Sequence, residues 1–302
     1  MKINMLLSGC LLGLLCFTAC DSEGNEMNDY THYVNPFIGT GGHGHTHPGA
    51  MVPHGMIQPG PDTRIDGWDS CSGYYYEDTT INGFAHTRLS GTGCADFGDF
   101  LLMPTVGVQR TDFLGTESQK RPFASAFSHE KEYAEPGYYS VFLKDYEVKA
   151  ELTATQRVGY HRYTYPKSEQ ANLIFDIGNK QGESGEVKDA EVQYFDDGRV
   201  EGYVVTSPVY VNIYQQGADV RMYFSAVLNK KPVAVGTFVQ NEVTPGKYWE
   251  KGPGTGLYMT FSTEEQEPIE VKVGLSYTSI ENARFNRETE AMNVTFDQAK
   301  KN

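Results

Sequence analysis

Positive charge is scarce in this chain. Its 302 residues carry 25 lysines and arginines against 39 acidic side chains, a formal net charge of −14. Binding to a phosphate backbone needs a basic patch. No run of lysine or arginine supplies one, which argues against nucleic acid as a partner. Cysteine is also sparse: after Cys10, Cys16 and Cys20 only Cys71 and Cys94 remain. Two cysteines do not make a zinc site by themselves. In a disulfide-permissive compartment they could pair, but sequence cannot place their Cα atoms. There is no Gly-x-Ser-x-Gly elbow, no internal repeat and no long low-complexity tract. Gly39-Thr-Gly-Gly42 lacks the strand-and-helix context of a nucleotide-binding turn, which excludes phosphate binding there.

Long apolar runs are missing as well, with one short exception at the N-terminus. Lys2 supplies a positive start, Met5 to Phe17 is apolar, and Thr18-Ala19-Cys20 closes the segment. The run is too short to span a bilayer comfortably and reads as a signal peptide over residues 1–19. The ending Leu15-Cys-Phe-Thr-Ala-Cys20 resembles a bacterial lipobox, with cleavage before Cys20 and lipid on its sulfur. An ordinary secretory signal is the alternative. Lipid on Cys20 would tether the protein to a membrane at the periplasm or cell surface rather than pass the chain through it. Residues 20–29 are then a polar tether.

What is abundant is β pattern. Val148, Ala150, Leu152 and Ala154 alternate with Glu147, Lys149, Glu151 and Thr153, the period-two signature of a strand with one buried face. Ile269, Val271, Val273 and Leu275 repeat it. Gly159 to Tyr165, Ala171 to Ile177, Glu201 to Thr206, Val209 to Gln215, Val220 to Asn229 and Gly256 to Ser262 also read as strands. Glycine, proline, asparagine and aspartate separate them. Many strands without intervening amphipathic helices predict an all-β fold, a large antiparallel β-sandwich over residues 30–278.

The pattern changes near Ser279. Residues 279–302 contain helix formers and mixed charge, with no proline or glycine. Ile280, Ala283, Phe285 and Met292 predict a helix with a narrow apolar face. It reads as the start of a linker toward a further domain. A terminal helix folded back on the sandwich is the alternative.

The stretch Asn35 to Gly107 fits neither pattern. Glycine, proline, histidine, aspartate and aromatic residues crowd it with almost no apolar periodicity. Side chains with polar tips beside flat rings suit a polar, ring-shaped ligand such as a sugar. Trp68, one of two tryptophans, sits in Gly67-Trp-Asp69 just before Tyr74-Tyr-Tyr76 and offers a platform for the C–H face of a sugar. His43, His45 and His47 form a cluster, with His54 and His86 further on. Histidine is the commonest metal ligand, yet the surrounding glycines imply a bent loop and no acidic residue stands at a zinc-enzyme spacing. Hydrogen bonding to a sugar hydroxyl or to loop backbone is the preferred reading, and no metal ligand is assigned. Asp62, Asp66, Asp69, Asp96 and Asp99 supply carboxylates, and glycosidic hydrolysis uses two. Turn capping is the favoured reading for each. Ser90-Gly-Thr-Gly93 lies near His86 and Asp96, but a serine triad rests on geometry.

Tyr33-Val-Asn-Pro-Phe-Ile-Gly-Thr-Gly-Gly-His-Gly-His-Thr-His-Pro-Gly-Ala50, Pro61-Asp-Thr-Arg64, Trp68-Asp-Ser-Cys-Ser-Gly-Tyr74 and Gly83-Phe-Ala-His86 with Leu89-Ser-Gly-Thr-Gly93 resemble glycoside hydrolase family 92. Glu151 to Thr155, Val158 to Tyr163, Val273 to Ser276 and Glu281 to Arg284 look like later blocks of the same family. Members are bacterial exo-α-mannosidases. The resemblance implies an N-terminal β-sandwich (a supersandwich), a helical linker and an (α/α)6 barrel absent from this sequence. It implies an inverting, Ca2+-dependent mechanism whose general acid, general base and most calcium ligands belong to the barrel. No catalytic residue is therefore assigned here. The resemblance implies that Trp68 contacts substrate and that Arg64, Asp69 and His86 line the pocket. His47 and His54 depart from the family pattern, standing where an apolar or aromatic residue is expected. The function implied is the pocket-forming part of a mannosidase trimming mannose-rich N-glycans. A stand-alone carbohydrate-binding lipoprotein without catalysis is the alternative.

Overall fold

The computed structural model describes residues 29–64, 67–97, 100–107, 120–181 and 185–301. The signal segment, Cys20, Asp66 and Asp99 lie outside the described residues. By its internal contacts the chain divides into a short unit up to Tyr30 and a compact unit from Thr31 onward. The second unit holds every described strand and helix.

Two antiparallel sheets carry the fold. The smaller runs, in spatial order, Gly60–Asp62, Gly83–Ala85, Leu101–Val106, Ser168–Asp176, Thr255–Thr263, Ala234–Val239 and Glu242–Pro245. The larger runs Trp249–Lys251, Glu186–Tyr194, Arg199–Ser207, Val220–Leu228, Glu267–Ser276, Val158–Tyr165, Val148–Ala154, Tyr138–Leu143 and Glu132–Glu135. One continuous apolar cluster draws on both, with Leu173, Phe175 and Met259 from the first joining Phe224, Val271 and Leu152 from the second. This is the β-sandwich that the alternation predicts. Val148, Ala150, Leu152 and Ala154 are all buried, as are Ile269, Val271, Val273 and Leu275. Each side chain points to the face opposite its neighbour's, so the apolar set lands together.

Two expectations differ from the structure. Val209–Tyr214 is a short α-helix, not a strand. Its β-branched residues favour a strand locally, but Pro208 precedes the first turn and the Asp96 carboxylate accepts hydrogen bonds from the backbone N–H groups of Tyr210 and Val211 at 3.1 and 3.0 Å. A carboxylate from across the fold thus satisfies two of the free donors that open any helix.

The second difference is the helix face after Ser279. The helix Ile280–Ala291 begins there, with the Ser279 hydroxyl accepting from Asn282 N. The side chains it buries are Ala283, Asn286, Arg287 and Ala291, whereas Phe285 and Met292 are exposed. Of the predicted apolar stripe only Ala283 is buried, so most of the packing face lies elsewhere on the helix. The helix lies on the outside of the larger sheet against the strands Glu267–Ser276 and Val220–Leu228. Asn286 Nδ2 donates to Leu275 O at 2.7 Å. A second helix, Phe296–Lys301, packs Phe296 and Ala299 onto Tyr138, Val158 and Tyr160. These tyrosines face outward, opposite to Tyr139 and Tyr163 in the same strands.

Candidate functional site

The glycine- and histidine-rich stretch supplies the strands Gly60–Asp62, Gly83–Ala85 and Leu101–Val106 of the smaller sheet and, among the described residues, loops before and between them. Its centre is Trp68, which opens a single 3-10 turn, Trp68–Ser70. The indole is half exposed. Its Nε1–H donates to Gly93 O at 2.9 Å. The His45 ring meets it edge-on at 4.2 Å between centroids, and His43 lies at 5.6 Å. The ring is thus held by its polar edge and by an imidazole while about half of its surface stays exposed to solvent, which leaves room for stacking.

Asp69 sits beside it. His43 Nδ1 is 2.5 Å from Asp69 Oδ1, and His45 Nε2 is 4.0 Å from the same oxygen. His45 adopts a left-handed backbone, φ 59°, rare for a residue with a Cβ. That twist directs its side chain inward while His43, two residues earlier, stays at the surface. His45 Nδ1 lies 3.5 Å from Cys71 Sγ. Cys71 and Cys94 carry thiols and are not bridged to each other.

His47 does not join this group. It is buried, with Nε2 3.2 Å from Gln58 Oε1, and Nδ1 accepting from Gly49 N at 3.0 Å. Burial, reinforced by the Arg88 charge, holds its pKa down at about 3, so the ring is neutral. His54 is exposed on a turn.

Of the four residues singled out as pocket lining, the structure brings Trp68 and Asp69 together. Arg64 is committed elsewhere: its guanidinium makes a bidentate pair with Asp78 at 2.8 to 3.0 Å and lies over the Tyr75 ring at 4.3 Å. That carboxylate pushes the Arg64 pKa up. His86 lies in the core. It is fully buried, stacks on Phe100 with centroids 4.3 Å apart, and meets His161 rather than solvent.

Three features of the site have no signal in the sequence. Asp62 has the look of a turn residue but forms a buried ion pair with Arg88, at 2.7 and 2.8 Å. The same guanidinium donates to Gly60 O and Ser72 O, tying an edge strand to the turn that follows Trp68. A crevice opens beside this pair, lined by Asp62, Cys71, Ser72, Arg88, Phe97 and Gln181. Cys71 touches His45, and the Gly93 carbonyl holds Trp68. Sequence spacing cannot reveal such contacts, because each joins residues well separated along the chain.

With this geometry in view, comparisons with known proteins are decisive about ancestry. The glycosyl hydrolase family 92 N-terminal domain matches residues 33–276. The family 92 α-mannosidase of Bacteroides thetaiotaomicron solved in complex with mannoimidazole superposes with a TM-score of 0.81 at 33% identity, covering 90% of this chain and 35% of that one. A family 92 inverting mannosidase from the same organism shares the fold, with a TM-score of 0.73 at 22% identity, covering 90% of this chain and 34% of that one. An uncharacterized secreted glycosidase of Arthroderma benhamiae is 26% identical over 288 residues, which is 89% of this chain and 36% of the relative. The chain therefore spans about a third of the length of each of these proteins. Nearly all of its described sandwich falls within the matched part, and the chain belongs to glycoside hydrolase family 92, whose N-terminal domain it carries.

Proposed function

We propose that this chain is the pocket-completing N-terminal part of an exo-α-mannosidase that removes terminal mannose from mannose-rich N-glycans with inversion. The observation that carries the reading is Trp68: a large aromatic held by Gly93 O and by the perpendicular His45 ring, with about half of its surface exposed. Sugars present C–H faces to such rings. Asp69 beside it supplies an acceptor for a sugar hydroxyl. Arg64, through Asp78, and His86, through His161, shape the loops and the core behind this surface.

Hydrolysis of a glycosidic bond needs one carboxylic acid to protonate the leaving oxygen and one carboxylate to activate water on the opposite face. Both are assigned to the (α/α)6 domain of the complete enzyme, with the segment from Ser279 as the start of the linker toward it. Calcium is the metal that family resemblance implies. Calcium takes six to eight oxygen ligands. The cluster His43, His45 and Asp69 offers two imidazole nitrogens and one carboxylate and does not fit it, so no residue of this chain is assigned to calcium. Lipid on Cys20 would hold the enzyme at a membrane surface, in the periplasm or facing outward. A secreted relative agrees with export, and among the described residues no helix is long and apolar enough to cross a membrane.

The test is mannose release from a mannose-rich glycan by the purified 302-residue chain and by the complete enzyme. Activity confined to the complete enzyme, abolished there by a calcium chelator, is the expected result. Chelator-sensitive release by the 302-residue chain alone would overturn the division of labour.

A further inference from the structure

The hydrogen-bond balance around His45 is incomplete. The side chain is 3% exposed, and its Nε2 is buried with no hydrogen-bond partner. A buried polar nitrogen left without a partner is unfavourable. An acceptor, Asp69 Oδ1, stands across the gap at 4.0 Å. His43 Nδ1 contacts the same oxygen. The three ligand atoms are all within 4.8 Å of one another. Among the described residues, this is the single group of three such side chains so placed.

We propose that His43 Nδ1, His45 Nε2 and Asp69 form a binding site for a divalent d-block cation of the zinc type, distinct in chemistry from any calcium site. The donor set is the first argument. Imidazole and carboxylate together suit zinc and its neighbours, whereas calcium and magnesium seek oxygen alone. The second is distance. Ligands about 2.0–2.1 Å from a tetrahedral ion stand about 3.3 Å apart. The two observed separations, 2.5 and 4.0 Å, straddle that value. Reaching it requires His43 and Asp69 to move apart and Asp69 to approach His45. His43 and Asp69 are free to do so, with side chains 76% and 38% exposed. His45 is the fixed member.

The third argument is the far side of the His45 ring. Metal-bound imidazoles hold their second nitrogen to an acceptor, which fixes tautomer and orientation. His45 Nδ1 lies 3.5 Å from Cys71 Sγ. With the Nδ1 proton toward sulfur, the Nε2 lone pair points into the cluster. Cys71 is thus a positioning residue and not a ligand. Three protein ligands leave a fourth position for water or a ligand oxygen. That position lies beside the half-exposed Trp68 ring, where a sugar bearing adjacent hydroxyls would meet ring and ion together. The ion would be a resident of this domain, so the inference stands whether or not the mannosidase reading does.

The experiment is titration of the purified chain with Zn2+ against a chromophoric chelator, and with Co2+ followed by visible absorption. One ion per chain at micromolar affinity is expected, with the strong absorption of low-coordinate Co2+ and no displacement by millimolar Ca2+. Asp69→Asn and His43→Gln, both at exposed positions that should leave the fold intact, are each expected to weaken binding about tenfold or more. His45→Gln should abolish it, and Cys71→Ser should weaken it less than the ligand changes do. Cys94→Ser should leave it unchanged. Absence of stoichiometric binding would overturn the proposal. So would binding unaffected by Asp69→Asn, binding lost with Cys94→Ser, or displacement by calcium.

Discussion

His86 and His161 face one another across the core, Nε2 to Nε2 at 2.9 Å, with neither ring exposed to water. His86 follows the strand Gly83–Ala85 of the smaller sheet and His161 lies in Val158–Tyr165 of the larger, so the contact bridges the two layers. One proton order satisfies all four nitrogens. Tyr163 donates to His161 Nδ1 at 2.9 Å, His161 Nε2–H donates to His86 Nε2, and His86 Nδ1–H faces Phe100 O at 3.5 Å. Both imidazoles are then neutral. Burial drives the pKa of His86 from its ordinary 6.5 down to about 3, and that of His161 well below its ordinary value.

Burial also sets the sign of the pH dependence. A histidine whose pKa is lower folded than unfolded binds its proton mainly when unfolded. Its contribution is fully present above about pH 6.5 and is lost as pH falls from there toward about 3. His47 behaves likewise. Each such group costs about 1.4 kcal/mol per pH unit within that window. Urea unfolding midpoints should therefore drop as pH falls from about 6.5 to 5, above the range where most carboxylates titrate. His161→Leu should cost about 1–3 kcal/mol at a pH above that window, because His86 Nε2 loses its partner, and should flatten the slope by about one proton. A slope unchanged by the substitution would refute the assignment.

Asp62 and Arg88 give a second prediction. Both are buried, and their bidentate pair sits where the edge strand Gly60–Asp62 meets the turn after Trp68. Arg88→Met leaves a carboxylate buried without its partner, which should destabilise the fold by about 3–5 kcal/mol. Adding Asp62→Asn should recover a substantial part, since the uncompensated charge is then gone. Chemical denaturation of the two variants reads this directly. Equal losses in single and double variants would mean that the charge itself is not what matters.

Gly93 gives a third. Its φ of +66° is left-handed, and an added Cβ would lie 3.1 Å from His45 Nδ1 and 3.3 Å from Trp68 Cζ2. Gly93→Ala is expected to displace the indole and lower kcat/KM of the complete enzyme about tenfold, a barrier change of about 1.4 kcal/mol. Trp68→Ala should cost at least as much. Thermal stability should change little with Trp68→Ala, because that ring is half exposed. An unaltered kcat/KM in Trp68→Ala would remove the ring from the substrate surface.

How much of this is legible in advance depends on the range of the forces involved. Period-two alternation at Val148 to Ala154 and Ile269 to Leu275 is written in neighbouring residues, and the sandwich follows from it. The segment around Trp68 stands out by composition and by its family motifs. Its wiring is illegible: His45 to Asp69, Cys71 to His45 and Trp68 to Gly93 each span about 25 residues of chain and depend on loop geometry. His86 belongs to the same run of family motifs as the loop residues, yet the backbone turns it inward to His161. Val209 to Tyr214 misleads because its local preference is overruled by a distant cap, Asp96.

The helix Ile280–Ala291 shows the same limit and yields the last prediction. Its contact surface is made by small and polar groups, and of the apolar stripe its sequence displays only Ala283 takes part. Gly274 allows the helix to approach: a Cβ there would stand 2.4 Å from Ala283 O and 2.6 Å from Arg287 Cβ. At the far end Glu290 accepts hydrogen bonds from Thr155 Oγ1, Arg157 N and Arg157 Nε at 2.5 to 3.0 Å. Gly274→Val should force helix and sheet apart. Glu290→Ala should free only the far end, at a cost of about 1–3 kcal/mol from the donors left unpaired. Amide hydrogen exchange distinguishes the two. The first variant should lose protection along residues 283–291 and in the strand Glu267–Ser276, and the second only near residues 155–157 and 288–291. Protection retained throughout in Gly274→Val would mean that the helix does not need this close approach. Its docking would then rest on Asn286, Arg287 and Glu290 alone.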